Sequence, residues 1–180
     1  AFENNTNIKT VRYSRALKFI GAMAFKNCTS LTDASANTTP SLAHIRDQAF
    51  YGCTALESAT IYTNVSLVGD GAYQNSGLKS VSFAETPSTA LHIGANAFNA
   101  AGLTGSTLLH RRVVSIGDNA FANLSAVQFA YNNLNGKSGE EVSISSTAFK
   151  ASALIYYSST HRNEGSKTLL DKDTVILHAL

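Results

Sequence analysis

The stretch "FIGAMAFKNC", Phe19–Cys28, returns twenty-five residues later as "HIRDQAFYGC", His44–Cys53. Both carry a β-branched residue, an Ala-aromatic pair and a Cys at equal offsets. Aligned on the aromatic, the chain holds six copies, at Phe25, Phe50, Tyr73, Phe98, Phe121 and Phe149, at intervals of 25, 23, 25, 23 and 28 residues. Ala precedes the aromatic each time, at Ala24, Ala49, Ala72, Ala97, Ala120 and Ala148. Five residues before it stand Ile20, Ile45, Val68, Ile93, Ile116 and Ile144. Four before it stand Gly21, Gly69, Gly94 and Gly117, replaced in two copies by Arg46 and Ser145. Five or six after it come Leu31, Leu56, Leu78, Leu103 and Leu154, with Val127 in the fifth copy. Three apolar columns in register across six copies mark a building unit, not a duplicated site.

A period of 23–25 residues is that of leucine-rich repeats, whose coil is one strand and a short helical or irregular return. The strand falls after the Leu. "LESATI" (Leu56–Ile61) and "LKSVSF" (Leu78–Phe83) end in the apolar-polar alternation of a strand with one buried face. "IKTVRY" (Ile8–Tyr13) fits the same pattern and is read as having no Ala-Phe pair before it, so the chain is expected to start inside a coil, either because the sequence begins mid-array or because that half-coil is a natural N-terminal cap. The return is expected to be about one helical turn. Asp47, Asp70 and Asp118, three residues before the aromatic, stand where a carboxylate caps helix N–H groups, and the preceding Gly lets the chain turn sharply. The expected fold is therefore α/β: a right-handed leucine-rich-repeat solenoid of about six coils, each a short parallel strand plus a short helical turn. One coil cannot hide its apolar face alone, so stability is a sum of nearest-neighbour terms. Phe98→Ala is expected to cost far more than Thr104→Ala on the strand's outer face.

Two places are irregular. In "AFANLSAVQFAY" (residues 120–131) either Val127 continues the Leu column, or the return is shortened and Leu124, Val127 and Phe129 form the strand pattern; the second restores the motif. Residues 131–141 read as a polar Asn/Gly loop. The repeat is expected to end at Tyr157, giving a solenoid over 1–157 and a tail over 158–180. The apolar end "TVILHAL" either caps the last coil or serves a neighbouring domain or oligomer contact, the cap being preferred.

The I-G-x-x-A-F-x-x-C-x-x-L-x-x-V-x-I pattern, as in "FIGAMAFKNCTSL", "HIRDQAFYGCTAL", "HIGANAFNAAGL" and "SIGDNAFANL", resembles the BspA-like leucine-rich repeat from about Ile8 to Tyr157. That resemblance implies a secreted or cell-surface protein that adheres without catalysis to host or matrix proteins and to other cells; a glycan partner is the further expectation that the polar outer face of the strands raises. Pro is missing after most strands and the tail is unrelated, which leaves open where the array ends.

Composition agrees with a surface solenoid. Charged residues are 14% of the 180, Trp is absent, and fourteen bases against twelve acids are scattered along the chain. No basic run marks a nucleic-acid footprint, and no segment approaches the roughly 18 apolar residues of a membrane span, so neither nucleic-acid binding nor membrane insertion is expected. Ala1 is not preceded by a basic-then-apolar leader; a secretion signal is expected to have been removed or to lie outside the sequence. The residues leave the oligomeric state open.

Candidate chemistry is sparse. Cys28 and Cys53 occupy a column continued by Ser76, Ala101 and Ser152, which suggests small packed residues and free thiols rather than a disulfide. His44 and His92 share an offset two coils apart, about 10 Å at ~4.8 Å per strand, too far to share an ion. Asp47 and Asp70 are neighbours in one column and superficially resemble a general acid/base pair, but their offset is the capping one. No catalytic residue, metal or cofactor is expected. The remaining candidate is the polar outer face of the strands: Lys9 and Arg12; Asp33; Glu57, Thr60 and Tyr62; Lys79 and Ser82; Thr104 and Thr107. Few aromatic anchors stand there, which points to weak multivalent contact. The runner-up reading is a substrate-targeting accessory domain of a larger secreted enzyme.

Overall fold

The computed structural model describes residues 2–36, 38–84, 89–103, 106–110, 113–124, 126–130, 143–150, 154–157 and 176–179. Among the described residues all strand pairing is parallel and, apart from that of the C-terminal strand, joins successive copies of the repeat. The expected strands are present as β1 (Thr10–Arg12), β3 (Asp33–Ser35), β5 (Ser58–Ile61), β7 (Ser80–Phe83), β9 (Ser106–His110), β11 (Ala126–Ala130) and β13 (Leu154–Tyr157). They form ladders β1-β3, β5-β7 and β9-β11-β13, the last extended by β14 (Ile176–Ala179), which pairs with β13 from Leu154↔Ile176 to Tyr157↔Ala179. β5 alternates as foreseen, Ala59 and Ile61 inward and Ser58 and Thr60 outward. In the fifth copy the shortened reading is the one adopted: Leu124 is buried and β11 starts at Ala126. Leu154 pairs with Ala126 inside β13 and does not occupy the pre-strand Leu place.

A second strand in every coil was not foreseen. The β-branched column is the inward half of β2 (Phe19–Ile20), β4 (His44–Ile45), β6 (Leu67–Val68), β8 (Leu91–Ile93), β10 (Val113–Ile116) and β12 (Ser143–Ile144). These make one continuous six-stranded sheet in the order β12-β10-β8-β6-β4-β2. The core collects the Ile/Val, Ala, aromatic and Leu columns.

The return is not helical; no helix occurs among the described residues. Its N–H groups alternate between two kinds of partner. Met23, Phe25 and Asn27 donate to Asp47, Ala49 and Tyr51 of the next coil at 2.7–2.9 Å, whereas Ala24, Lys26 and Cys28 donate to the carbonyls three residues back. Gln48, Phe50 and Gly52 repeat the first set one coil on. With every second donor committed to a neighbouring coil, the i→i−4 ladder of an α-helix cannot form. The alternation needs left-handed residues two before the aromatic (Met23, Gln48, Gly71, Asn96, Asn119) and two after it (Asn27, Gly52, Asn75, Ala100), with φ between 52° and 67°. Each non-glycine in that region costs roughly 1–2 kcal/mol, which Asn and Gly largely avoid.

The aromatics form one column of nearly parallel rings. Phe25, Phe50, Tyr73, Phe98, Phe121 and Phe149 follow one another at centroid distances of 5.0–5.8 Å and interplanar angles of 5–11°. Phe2 is a seventh ring, 5.5 Å from Phe25, so the sequence reading overlooked the pair Ala1-Phe2. Phe2 and Asn4 donate to Ala24 and Lys26 as Phe25 and Asn27 do to the following coil.

Gly and Asp have other jobs than those expected. Gly69 has no left-handed φ; an added Cβ would collide with the Asp47 carboxylate and the main chain at Arg46 and Asp47. Close approach of the preceding coil, not a sharp bend, requires the glycine. The carboxylates do not cap their own coil. Asp47 Oδ1 accepts the N–H of Asp70 at 3.1 Å, and Asp70 Oδ1 accepts that of Ala95 at 2.8 Å, while Asp118 Oδ1 accepts the hydroxyls of Ser145 and Thr147.

Candidate interaction surface

Register sets the outer face of β1, β3, β5 and β7. Thr10 lies beside Asp33 and Arg12 beside Ser35; Ser58 lies beside Ser80 and Thr60 beside Ser82. Lys9 and Glu57 precede their strands and are exposed, as is Lys79. Two ion pairs, the two found among the described residues, cross between coils here. Arg12 reaches Asp33 at 2.5 Å and donates to Ser35 Oγ at 2.9 Å; Lys79 reaches Glu57 at 2.5 Å. Accepting from Ser35, and then from Arg12, holds the Asp33 carboxyl below the usual carboxylate range. Both pairs face solvent, where such bridges contribute about 0–1 kcal/mol, so they fix charge positions more than they stabilise the fold.

Eight of the expected surface residues, Lys9, Arg12, Asp33, Glu57, Thr60, Tyr62, Lys79 and Ser82, thus lie along one stretch of the array. Tyr62 differs in character: it is half-buried and its hydroxyl accepts the Ala36 N–H at 2.9 Å, which makes it a brace between coils rather than an exposed anchor. Thr104 and the Thr107 side chain lie outside the described residues, as does the 131–141 loop.

The residues set aside as chemistry are engaged structurally. Cys28 and Cys53 are buried free thiols whose Sγ atoms donate to the carbonyls of Phe2 and Phe25. Burial, then the neighbouring Cys28, pushes the Cys53 thiol up to about 12. His44 and His92 flank Leu67 in the second sheet; His44 packs on Phe19, and His92 Nδ1 lies 2.8 Å from Ser115 Oγ. Among the described residues no group of three or more His, Cys, Asp or Glu could hold a metal ion, and no helix is long and apolar enough to cross a membrane.

The second sheet carries a feature the sequence reading missed. Phe19 stands outward from β2, 47% exposed, with the Arg46 guanidinium 5.2 Å from its ring centre. Its place immediately before an inward Ile was the available signal.

With two strands and an aromatic rung in each repeated coil, the architecture is that of a repeat solenoid. The profile of the BspA type leucine-rich repeat region matches residues 1–102 and 84–163 in six copies, and the chain belongs to that family. Among solved structures, the pneumococcal vaccine antigen PcpA is similar at 20% identity and a TM-score of 0.53, over 99% of this chain and 38% of that one. A leucine-rich repeat protein from Bacteroides ovatus is similar at 16% identity (TM-score 0.33; 99% and 64% of the two chains). A leucine rich cell surface protein from Faecalibacterium prausnitzii is similar at 20% identity (TM-score 0.35; 86% and 62%). The chain thus spans less than two thirds of each of these. No curated protein sequence matches it.

Proposed function

We propose that the chain is a non-catalytic interaction module of a secreted or cell-surface protein, binding a protein or glycan on another cell through the outer face of β1, β3, β5 and β7. The observation that carries this reading is the ladder itself. Hydroxyls at Thr10, Ser35, Ser58, Thr60, Ser80 and Ser82 alternate with two fixed ion pairs along a surface built from main-chain register. Such a surface offers many weak, evenly spaced contacts and no buried reaction centre. Membership of the BspA type family supports an interaction role.

The test is capture of printed matrix proteins and glycans by the intact chain. Thr60→Arg and Ser82→Arg place bulk on exposed rungs without entering the core, and each is expected to lower capture at least about tenfold. Capture of nothing, or capture indifferent to both substitutions, contradicts the assignment.

A further inference from the structure

We propose that the return face of the first four copies binds an uncharged, extended glycan of β-1,4-linked hexoses, laid along the rod at one sugar per coil. This face is separate from the polar ladder just described. It uses the places two before, one after and two after the ring. Apart from Gly52 and Gly71, every residue there keeps its side chain at least partly exposed. Phe25, Phe50, Tyr73 and Phe98 each have a stacked ring on either side, so the face belongs to the interior of the array.

The chemistry of the face is that of amides. Half of these places hold Asn or Gln: Asn27, Gln48, Gln74, Asn75, Asn96 and Asn99. Left-handed backbone accounts for Asn27, Asn75 and Asn96, since Asn tolerates it. It does not account for Gln48, which gains nothing from that conformation, or for Gln74 and Asn99, which lie outside it. Contacts among these side chains orient the set. Lys26 Nζ donates to Gln48 Oε1 at 2.7 Å and sits 5.2 Å from the centre of the Tyr51 ring. Asn75 Nδ2 donates to the Tyr51 hydroxyl oxygen at 2.8 Å, and Asn99 Nδ2 to Asn96 Oδ1 at 2.9 Å. Gln48 Nε2, the Tyr51 O–H and Asn96 Nδ2 are left to donate, and the Oδ1 atoms of Asn75 and Asn99 to accept.

Charge and spacing select the occupant. Lys26 is the one charged residue among these places, and Gln48 and Tyr51 already hold it. The adjoining acids, Asp47 and Asp70, each have a carboxylate oxygen on a main-chain N–H of the following coil. A charged chain therefore gains little here, whereas hydroxyls, each both donor and acceptor, match a mixed row of amides. Tyr51 supplies the apolar surface on which the C–H face of a sugar packs. From Phe25 to Phe98 successive rings lie 5.1–5.3 Å apart. A β-1,4-linked hexose chain is extended and advances by nearly that step per sugar, so successive sugars meet successive rows of the face. An α-1,4-linked chain curls and falls out of step.

The test is a titration of the intact, isotope-labelled chain with cellohexaose, read from the side-chain amide signals in nuclear magnetic resonance spectra. Cellobiose, maltohexaose and a heparin fragment are the comparison probes. Cellohexaose is expected to shift the signals of Gln48, Gln74 and Asn99 saturably, to bind at least about tenfold more tightly than cellobiose, and to be indifferent to added salt. Tyr51→Ala should weaken it at least about tenfold and Gln74→Ala about threefold. The Gln74 side chain makes no hydrogen bond among the described residues, so Gln74→Ala should unfold as the parent chain does and still report on binding if Tyr51→Ala is destabilised. No saturable shift with cellohexaose, equal affinity for maltohexaose or cellobiose, tighter binding of heparin, or indifference to both substitutions overturns the proposal. Loss of cellohexaose binding with Thr60→Arg would place the glycan on the polar ladder and also overturns it.

Discussion

Replacing Phe98 by Ala would break the ring column at its middle. Phe98 is 1% exposed and lies between Tyr73 at 5.3 Å and Phe121 at 5.0 Å, with Phe83 edge-on at 6.4 Å. Truncating a filled aromatic site costs roughly 3–5 kcal/mol. Main-chain bonds to the coils on either side keep the cavity from collapsing: Tyr73 donates to Ala97 and Phe98 to Ala120. Phe2→Ala is the internal control. That ring is 52% exposed and touches one neighbour, so about half the area term of 1.5–3 kcal/mol is at stake, near 1 kcal/mol. Because each coil contacts only its neighbours, a break at Phe98 should also divide the array and make unfolding less cooperative. Urea titrations followed by far-UV circular dichroism and by tyrosine fluorescence measure both effects. Equal losses for Phe98→Ala and Phe2→Ala would refute the column as the source of stability, since Phe98 is fully buried between two stacked rings and Phe2 is half exposed against one.

Three further outcomes follow from the coil geometry. Gly21→Ala meets open space and should stabilise by about 0.4–1 kcal/mol, whereas Gly69→Ala meets Asp47 and should cost about 1–3 kcal/mol; equal midpoints for the two would show that coil approach does not govern the glycine column. Cys53, its thiol pushed up to about 12, should resist iodoacetamide at pH 8.5 until the array unfolds, with labelling followed by mass spectrometry; rapid native labelling would contradict its burial. Tyr73 is buried and its phenol is raised far above the usual value of about 10, so the folded chain retains a proton that the unfolded chain releases. The resulting stabilisation is complete below about pH 10 and declines as pH rises further; Tyr73→Phe should flatten that decline in unfolding midpoints measured from pH 9 to 11.

Much of the fold was legible because the apolar columns are long-range copies of one another. Ile45, Ala49, Phe50 and Leu56 are buried as their columns required. The second sheet was hidden by strand length: Phe19–Ile20 and His44–Ile45 are two residues each, too short for an alternation to register. The return looked helical because Ala and Asp precede the aromatic. The contrary signal was the Asn and Gly at Asn27, Gly52, Asn75, Asn96 and Asn119, diluted by Met23 and Gln48 in the same left-handed places. Ala1-Phe2 went unrecognised because no β-branched residue stands before it in the sequence.

The candidate surface was legible as a set of residues but not as an arrangement. Alternation alone identified Arg12, Thr60 and Ser82 as outward. The link between Arg12 and Asp33 depends on inter-coil register, which pairs Asp33 with Thr10 and leaves Arg12 to reach it diagonally. Tyr62 seemed free because its acceptor role toward Ala36 spans 26 residues of sequence. Phe19 was read only as the residue before an Ile, since the sheet that turns it outward had not been anticipated.

The stacking of equivalent side chains from successive coils is tested most directly by nuclear Overhauser contacts in a sample labelled only at Phe and Tyr rings. The account predicts an unbroken chain of ring-to-ring cross-peaks from Phe25 through Phe50, Tyr73 and Phe98 to Phe121. Rings that show no contact with the next copy, or that contact copies out of order, would contradict it.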